Sequence, residues 1–417
     1  MVRRPSSSEH GAVFIHVAVG LLVLLAFGAF VIDYGMLWVS RSQAQAAADA
    51  GALAGAWSLG YDDATDKADR ARNVAWNTAN WNRVWGASPG TLVFTPYDGV
   101  PPCAANPDSC IRVETYRNGA NGSSALPTFL ATLFSTNTQG TRASAVAQAM
   151  HGNATNCLKP WAVIDRWSET WPQPAQPWNI DSTYDKYKNN GDVDPAITAP
   201  DSYTPPSSTS TGTGFAPFDP DGSPSNDFGM ALRLKSGNAN QFNAGWFQAL
   251  ALDGSGGKDY SYNIKNCSGF VYKIGDTIQY DTGTEQGNKV GPTEHAVYDD
   301  VDSICAKDPD AYWDPSLNNG RGGVVSDKAS SPRVVPVPLI SPEDISTTKN
   351  GKTTVTIQNI MGFFVTCPNG HPDPAFPSIG SGEVVGHLTT LPGMLSSASA
   401  GSVGPQSSFF LTIRLVR

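Results

Sequence analysis

The chain has 417 residues, only 16% of them charged, with 41 Gly, 31 Pro and a net charge of -9. That length exceeds one compact core and predicts two or three domains, and the Gly and Pro content favours turns and short strands over long helices. The acidic balance argues against a nucleic-acid partner, which calls for a basic face.

Residues 1–11, with Arg3 and Arg4, precede an apolar run over residues 12–32 that contains no Asp, Glu, Lys or Arg. About 20 such residues span the hydrocarbon layer of a bilayer as a helix. The run is longer than the apolar core of a cleavable signal peptide, so retention as an anchor is expected. Only Arg41 follows within the next turns, and the positive-inside bias puts the N-terminus in the cytoplasm. His16 inside the span reads as a tolerated polar residue rather than a proton site.

Residues 33–60 are rich in Ala, the best helix former, and lack Pro, so the helix is expected to continue beyond the membrane. Ala47, Gly51 and Gly55 recur every four residues, a small-residue stripe that permits close helix approach. They are the candidate helix–helix interface. Two occupants fit equally: a partner subunit, or the chain's own soluble domain.

The string from Glu9 and Gly11, through the apolar span, to VIDYGMLWVSRSQAQAAADAGALAGA resembles the N-terminal region of TadE/TadG-like proteins of the tight-adherence (Flp) pilus system. Asp33, Gly35, Arg41, Gln43 and Asp49, with Ala47, Ala48, Ala50, Ala52, Leu53 and Ala54, carry the likeness. The resemblance weakens to about residue 150. Beyond it Cys157-Leu158-Lys159-Pro160-Trp161, LRLK, GDTIQY and SPRVVPVPLI are similar to larger TadG-related ectodomains. The resemblance implies a non-enzymatic part of pilus assembly or secretion in the bacterial inner membrane, with a periplasmic ectodomain. Its partners would be other pilus-assembly membrane proteins met through the N-terminal helix. In one respect the chain departs from pilins of this system, which are cut after a Gly with Glu at the fifth position beyond. If Glu9 is that Glu, Arg4 stands where the Gly belongs, so no processing is expected.

The fold class expected is α+β: one transmembrane helix continuing as a long helix, a small α+β module over 61–155, and a mainly-β domain over 156–417. In the module, residues 62–85 have helical spacing, TLVFTPY and IRVETYR read as strands, LPTFLATLF as a short helix and TRASAVAQA as a strand. Cys103 and Cys110 flank Pro107 in a short loop and are expected to pair. Cys157, Cys267, Cys305 and Cys367 allow three pairings, which stay open. With no Cys-x-x-Cys, disulfides in an oxidising compartment are favoured over zinc.

Residues 170–225 are rich in Pro, Ser and Thr and are expected to form a mobile insertion. After it MALRLK, FVYKIGDTIQY, RVVPVPLI, TTVTIQ and FFLTIRLV read as strands. Pro336 and Pro338 place theirs at a sheet edge. In the last, Phe409, Leu411, Ile413 and Leu415 alternate with Phe410, Thr412, Arg414 and Val416, the period of a half-buried strand.

No His-Glu-x-x-His, nucleophile elbow or phosphate loop occurs, so no catalytic, cofactor or metal residue is assigned. Thr293-Glu294-His295, near Asp299, Asp300 and Asp302, lacks the spacing of a hydrolytic site. Asp221-Gly222-Ser223-Pro224-Ser225 resembles a metal-adhesion motif, but its Pro and flanks argue against one. Calcium would accept the acidic clusters at 192–194, 219–227, 299–302 and 308–310, yet none has EF-hand spacing, so calcium stays an unsupported ligand. Trp161, Trp167, Trp171 and Trp178 suggest a local hydrophobic knot, or an aromatic surface for glycan. The rival functions are therefore a cell-surface adhesin or glycan-binding protein and, least favoured, a membrane-tethered hydrolase.

Overall fold

The computed structural model describes residues 8–61, 67–104, 106–188, 192–219, 224–236, 244–281, 290–328, 330–344, 354–368, 370–392, 403–404 and 406–416. The chain forms two compact units, residues 1–150 with 413–417, and residues 151–412. The division falls at Met150/His151, and the helix extension lies in the first unit.

In the first unit, helix α1 (Ser8–Tyr61) runs unbroken for 54 residues, roughly 80 Å at 1.5 Å per residue. It is long and apolar enough to cross a membrane. Its apolar side chains from Val13 to Ile32 are exposed, whereas beyond Asp33 one stripe is buried: Met36, Ser40, Ala44, Ala47, Ala48, Ala52 and Ala56. Helix α2 (Lys67–Trp81) packs along that stripe through Ala71, Ala75 and Ala79. It is shorter than the expected 62–85; residues 62–66 lie outside the described residues. Strands β1 (Gly90–Phe94), β2 (Cys110–Arg117) and β3 (Thr141–His151) form an antiparallel sheet whose Ile111, Val113, Ala143, Ala145 and Ala147 close the core beneath the helices. The expected helix in LPTFLATLF is absent. Pro127 joins a two-residue strand, and only one 3-10 turn, Ala131–Phe134, follows.

The second unit is built on β4 (Trp161–Ile164), β5 (Ala231–Ser236), β6 (Trp246–Ala249), β7 (Thr277–Gln279), β8 (Val334–Ile340), β9 (Thr354–Val365) and β10 (Glu383–Thr389). Their order is β7-β9-β8-β4-β6-β5-β10, and β10 pairs back to β9, so six of the seven strands close into a barrel-like ring. All six strands send side chains to one cluster, including Trp161, Leu234, Phe247, Val337, Phe363 and Val384. Tyr260 and Ile264 of helix α3 (Gly257–Lys265) join it. Alternate residues, such as Ala162 and Ile164, face a second core, so the strands are covered on both sides.

Two expectations about strands are corrected. Pro336 and Pro338 lie in a strand flanked by both β9 and β4, not at an edge. Arg333 O accepts Val365 N from β9, and Pro336 O accepts Lys159 N from the other side. By the alternation of a strand, both prolines turn their missing N–H towards β4, where the ladder holds only Leu339 and Ile340. The last strand, β11 (Phe410–Val416), lacks simple alternation. Its Phe410 and Leu411 are both buried, Leu415 is exposed, and Val416 is buried beside Cys103 and Cys110. The described residues of the 170–225 segment are tied at several points. Ser168 and Ser202 exchange backbone bonds, Thr213 N donates to Thr204 O, and Gly404 N donates to Ser207 O.

Disulfides join Cys103 to Cys110, Cys157 to Cys267 and Cys305 to Cys367, with Cα separations of 5.8, 4.0 and 5.8 Å. The last two close long loops, which removes the most freedom from the unfolded chain.

Candidate functional site

The residues singled out in the sequence gather on α1, where the helix meets the sheet. Asp33, the first polar residue after the apolar run, is buried. Its Oδ1 accepts the N–H of Phe129 at 2.7 Å, and its Oδ2 accepts those of Leu130 and Ala131 at 3.1 and 2.6 Å. These amide bonds, led by that of Phe129, hold its carboxyl below the usual range. Gln139 Nε2 donates to the Asp33 carbonyl at 3.1 Å. Asp33 thus fastens the loop before Ala131–Phe134 to the helix.

Further along, Gln43 Oε1 accepts the N–H of Trp85 at 2.8 Å. Trp85 has φ +48° and Gly86 φ +74°, a tight turn closed by the Val84–Ala87 bridge. A bulky residue with positive φ is strained, and Gln43 holds it there. Thr115 Oγ1 donates to Ala44 O at 2.8 Å. Gln45 Nε2 donates to Asp49 Oδ1 at 2.7 Å and to Ser144 O at 3.2 Å, which ties Asp49 to strand β3.

Between these stitches the helix lies close against its neighbours. A Cβ on Gly51 would stand 2.9 Å from the Ala75 carbonyl oxygen and 2.9 Å from Ala79 Cβ. One on Gly55 would stand 2.5 Å from Ile111 Cδ1 and 2.9 Å from Ala75 Cβ. Ala47 is fully buried in the same core. The stripe Ala47, Gly51, Gly55 therefore packs against α2 and β2 of the same chain, the second of the two occupants the sequence left open. Gly35 and Arg41 join none of these contacts: a Cβ at Gly35 would meet nothing within 4 Å, and Arg41 is exposed.

Outside α1, several of the acidic residues are paired within the fold. Asp300 and Asp302 pair with Lys265 at 3.1 and 2.9 Å. Asp308 accepts Ser326 and Ser331 hydroxyls at 2.8 and 2.6 Å, and Asp227 accepts Arg166 Nη1 at 2.5 Å. Asp221, Gly222 and Ser223 lie outside the described residues. The carboxylates of Glu169, Asp185 and Asp201 stand close enough to share a cation. Asp201, however, already accepts the amides of Thr170, Trp171 and Asp185 at 2.7, 3.0 and 2.7 Å. His295 pairs with Asp299 at 3.2 Å on the surface, and Glu294 accepts Ser381 Oγ.

A recess of about 330 Å³ is lined by Glu294, Tyr298, Thr366, Asp373 and Phe376. Behind it His387 Nε2 lies 2.7 Å from Asp373 Oδ2, its Nδ1 lies 2.9 Å from Gly229 O, and its ring stacks on Trp313. Both ring nitrogens are engaged and the imidazole is buried, which suits a structural clamp. Of the tryptophans, Trp161 and Trp167 are buried, and Trp178 packs edge-on against Trp167 and Phe215. Trp167, Trp178 and Phe215 thus pack as a local aromatic knot, while Trp161 packs on Phe247.

The sequence missed the other half of each stitch: the amides of residues 129–131, the Trp85 turn, Thr115 and Ser144. A usable signal was present in the first case, since no charged residue occurs between Arg117 and Arg142.

The first unit is thus a single-helix stalk riveted to an α/β sandwich, and the second a disulfide-bonded β body. Residues 11–58 match the family model described as Putative Flp pilus-assembly TadE/G-like, so this N-terminal segment is similar to TadE/TadG-like proteins. No curated protein and no solved structure matches the chain.

Proposed function

We propose that this protein is a membrane-anchored, non-enzymatic component of Flp-type pilus assembly or secretion. Residues 12–32 hold it in the bacterial inner membrane, the N-terminus is cytoplasmic, and both units stand in the periplasm. What carries this reading is the TadE/G-like match over residues 11–58. It coincides with the apolar span and with the residues that rivet the helix to the first unit. A span followed directly by a buried, hydrogen-bonded stripe suits a fixed part that transmits position from the membrane to the body. Three disulfides suit an oxidising compartment.

Deletion of the gene, with complementation by the full chain, tests the role. Loss of surface pili and of adhesion is the expected result, and unchanged piliation would refute it. Mass spectrometry of the native N-terminus tests the anchor. A mature chain starting beyond residue 32 would instead favour the released adhesin.

A further inference from the structure

We propose that the loop of residues 128–132 is a second membrane contact, with Phe129 and Leu130 entering the interfacial layer of the leaflet from which α1 emerges. The proposal rests on the reading of residues 12–32 as a membrane span.

The geometry comes from Asp33. By accepting the amides of Phe129, Leu130 and Ala131, it fixes the loop at the end of the apolar run. Leu130 then reaches back along the helix, its Cδ1 lying 3.8 Å from the Cβ position of Gly28. Gly28 precedes Asp33 by about 7 Å of helix axis at 1.5 Å per residue. A span that fills the bilayer core therefore carries Leu130 below the level at which the helix leaves it. Phe129, beside it, is 55% exposed although it belongs to a packed unit.

The composition fits the same solvent. The stretch between Arg117 and Arg142 contains no charged side chain. The loop's polar backbone is met by Asp33 and by the 3-10 turn, so it need not remain in water. Just beyond on α1, Tyr34 stacks on Phe30, and Trp38, about 9 Å past the end of the apolar run, is 72% exposed, in the position of interfacial aromatic anchors. A lipid interface takes all these side chains together. A protein partner would have to cover Phe129 within the width of the membrane boundary.

All six native cysteines are paired, so one introduced cysteine can carry a nitroxide. The full chain would be placed in phosphatidylethanolamine/phosphatidylglycerol nanodiscs with labels at Phe129→Cys, Val23→Cys or Thr209→Cys. Collision with oxygen is then compared with collision with a water-soluble nickel chelate. The expected result is a lipid-like ratio at 23, a water-like ratio at 209, and an oxygen-weighted ratio at 129. Adding Asp33→Ala should move 129 towards water and leave 23 unchanged. A water-like 129 beside a lipid-like 23 would overturn the loop proposal and leave the anchor standing. Shielding of 129 from both reagents would mean a protein cover and also overturn it. A water-like 23 would remove the anchor, and the proposal with it.

Discussion

Asp33 and Phe129, 96 residues apart, are joined by a 2.7 Å hydrogen bond from the Phe129 amide to the Asp33 carboxylate. Two further amides share that carboxylate, so a single side chain at the end of the apolar run sets where the loop sits. Asp33→Ala should leave the Leu130 and Ala131 amides unprotected and raise their hydrogen exchange by roughly tenfold or more, with strand β3 unaffected. The pH sign follows from the lowered pKa. The attachment is fully present above the unfolded carboxyl value and is lost as pH falls through the lower folded one. Exchange at these two amides that is equal in variant and parent would count against Asp33 as the fastener.

Two glycines of the signature separate propensity from packing. At Gly35 an added methyl meets nothing, so Gly35→Ala should stabilise by about 0.5–1 kcal/mol through helix propensity alone. At Gly51 the methyl meets a backbone carbonyl of α2, which cannot rotate away. Gly51→Ala should destabilise by ~1–3 kcal/mol despite the same propensity gain. Chemical denaturation of the full chain in detergent, followed by near-UV circular dichroism, reads both. Two shifts of equal sign would show that the α1–α2 approach is looser than described.

In the second unit, Lys159 performs a capping role across a long loop. Its buried Nζ donates to Asn263 O at 3.2 Å, Ile264 O at 2.6 Å and Asn266 O at 3.1 Å, at the C-terminal end of α3. Burial pushes its ammonium down to about 7. Cys157–Cys267 crosses the same junction, so the segment before β4 is tied to this helix twice. Lys159→Met keeps the aliphatic stem but strands those carbonyls, and should cost ~2–4 kcal/mol in denaturant midpoint analysis. A change below ~0.5 kcal/mol would mean water replaces the ammonium without loss.

Much of α1 was legible because an uncharged run and an alanine-rich run are local properties. The stripe Ala47, Gly51, Gly55 announced close approach, but small residues say nothing of what approaches, and the answer was α2 of the same chain. Closure of the barrel was not legible. It depends on pairs such as Phe363 with Leu388 and Lys235 with Glu383, whose separations no periodicity encodes. Pro336 and Pro338 misled for a related reason. Proline forbids one side of a ladder, and a strand can be interior where that side is thinly paired. The ties of the described residues between 170 and 225 were hidden because several run through buried acids rather than through hydrophobic pattern.

Asp165 is the clearest of those acids, and its titration gives a test. It follows β4 and accepts the amides of Phe215 at 2.8 Å and Arg166 at 2.9 Å, and the Tyr203 hydroxyl at 2.9 Å. Burial, only partly opposed by these bonds, pushes its carboxyl up to about 6. The folded state therefore binds a proton that the unfolded state has released between roughly pH 4 and 6. The sign is destabilising with rising pH: this group's contribution falls through that window by up to about 3 kcal/mol and is flat above it. Asp373 and Glu383, whose carboxyls are held low, contribute the opposite slope, so the parent curve alone mixes signs. Asp165→Asn removes the one titration and keeps the shape. Subtracting the stability of that variant from that of the parent, pH by pH, should give a difference that declines from pH 4 to 6 and then levels. Parallel curves across that range would mean that Asp165 stays ionised in the fold, its three donors outweighing its burial.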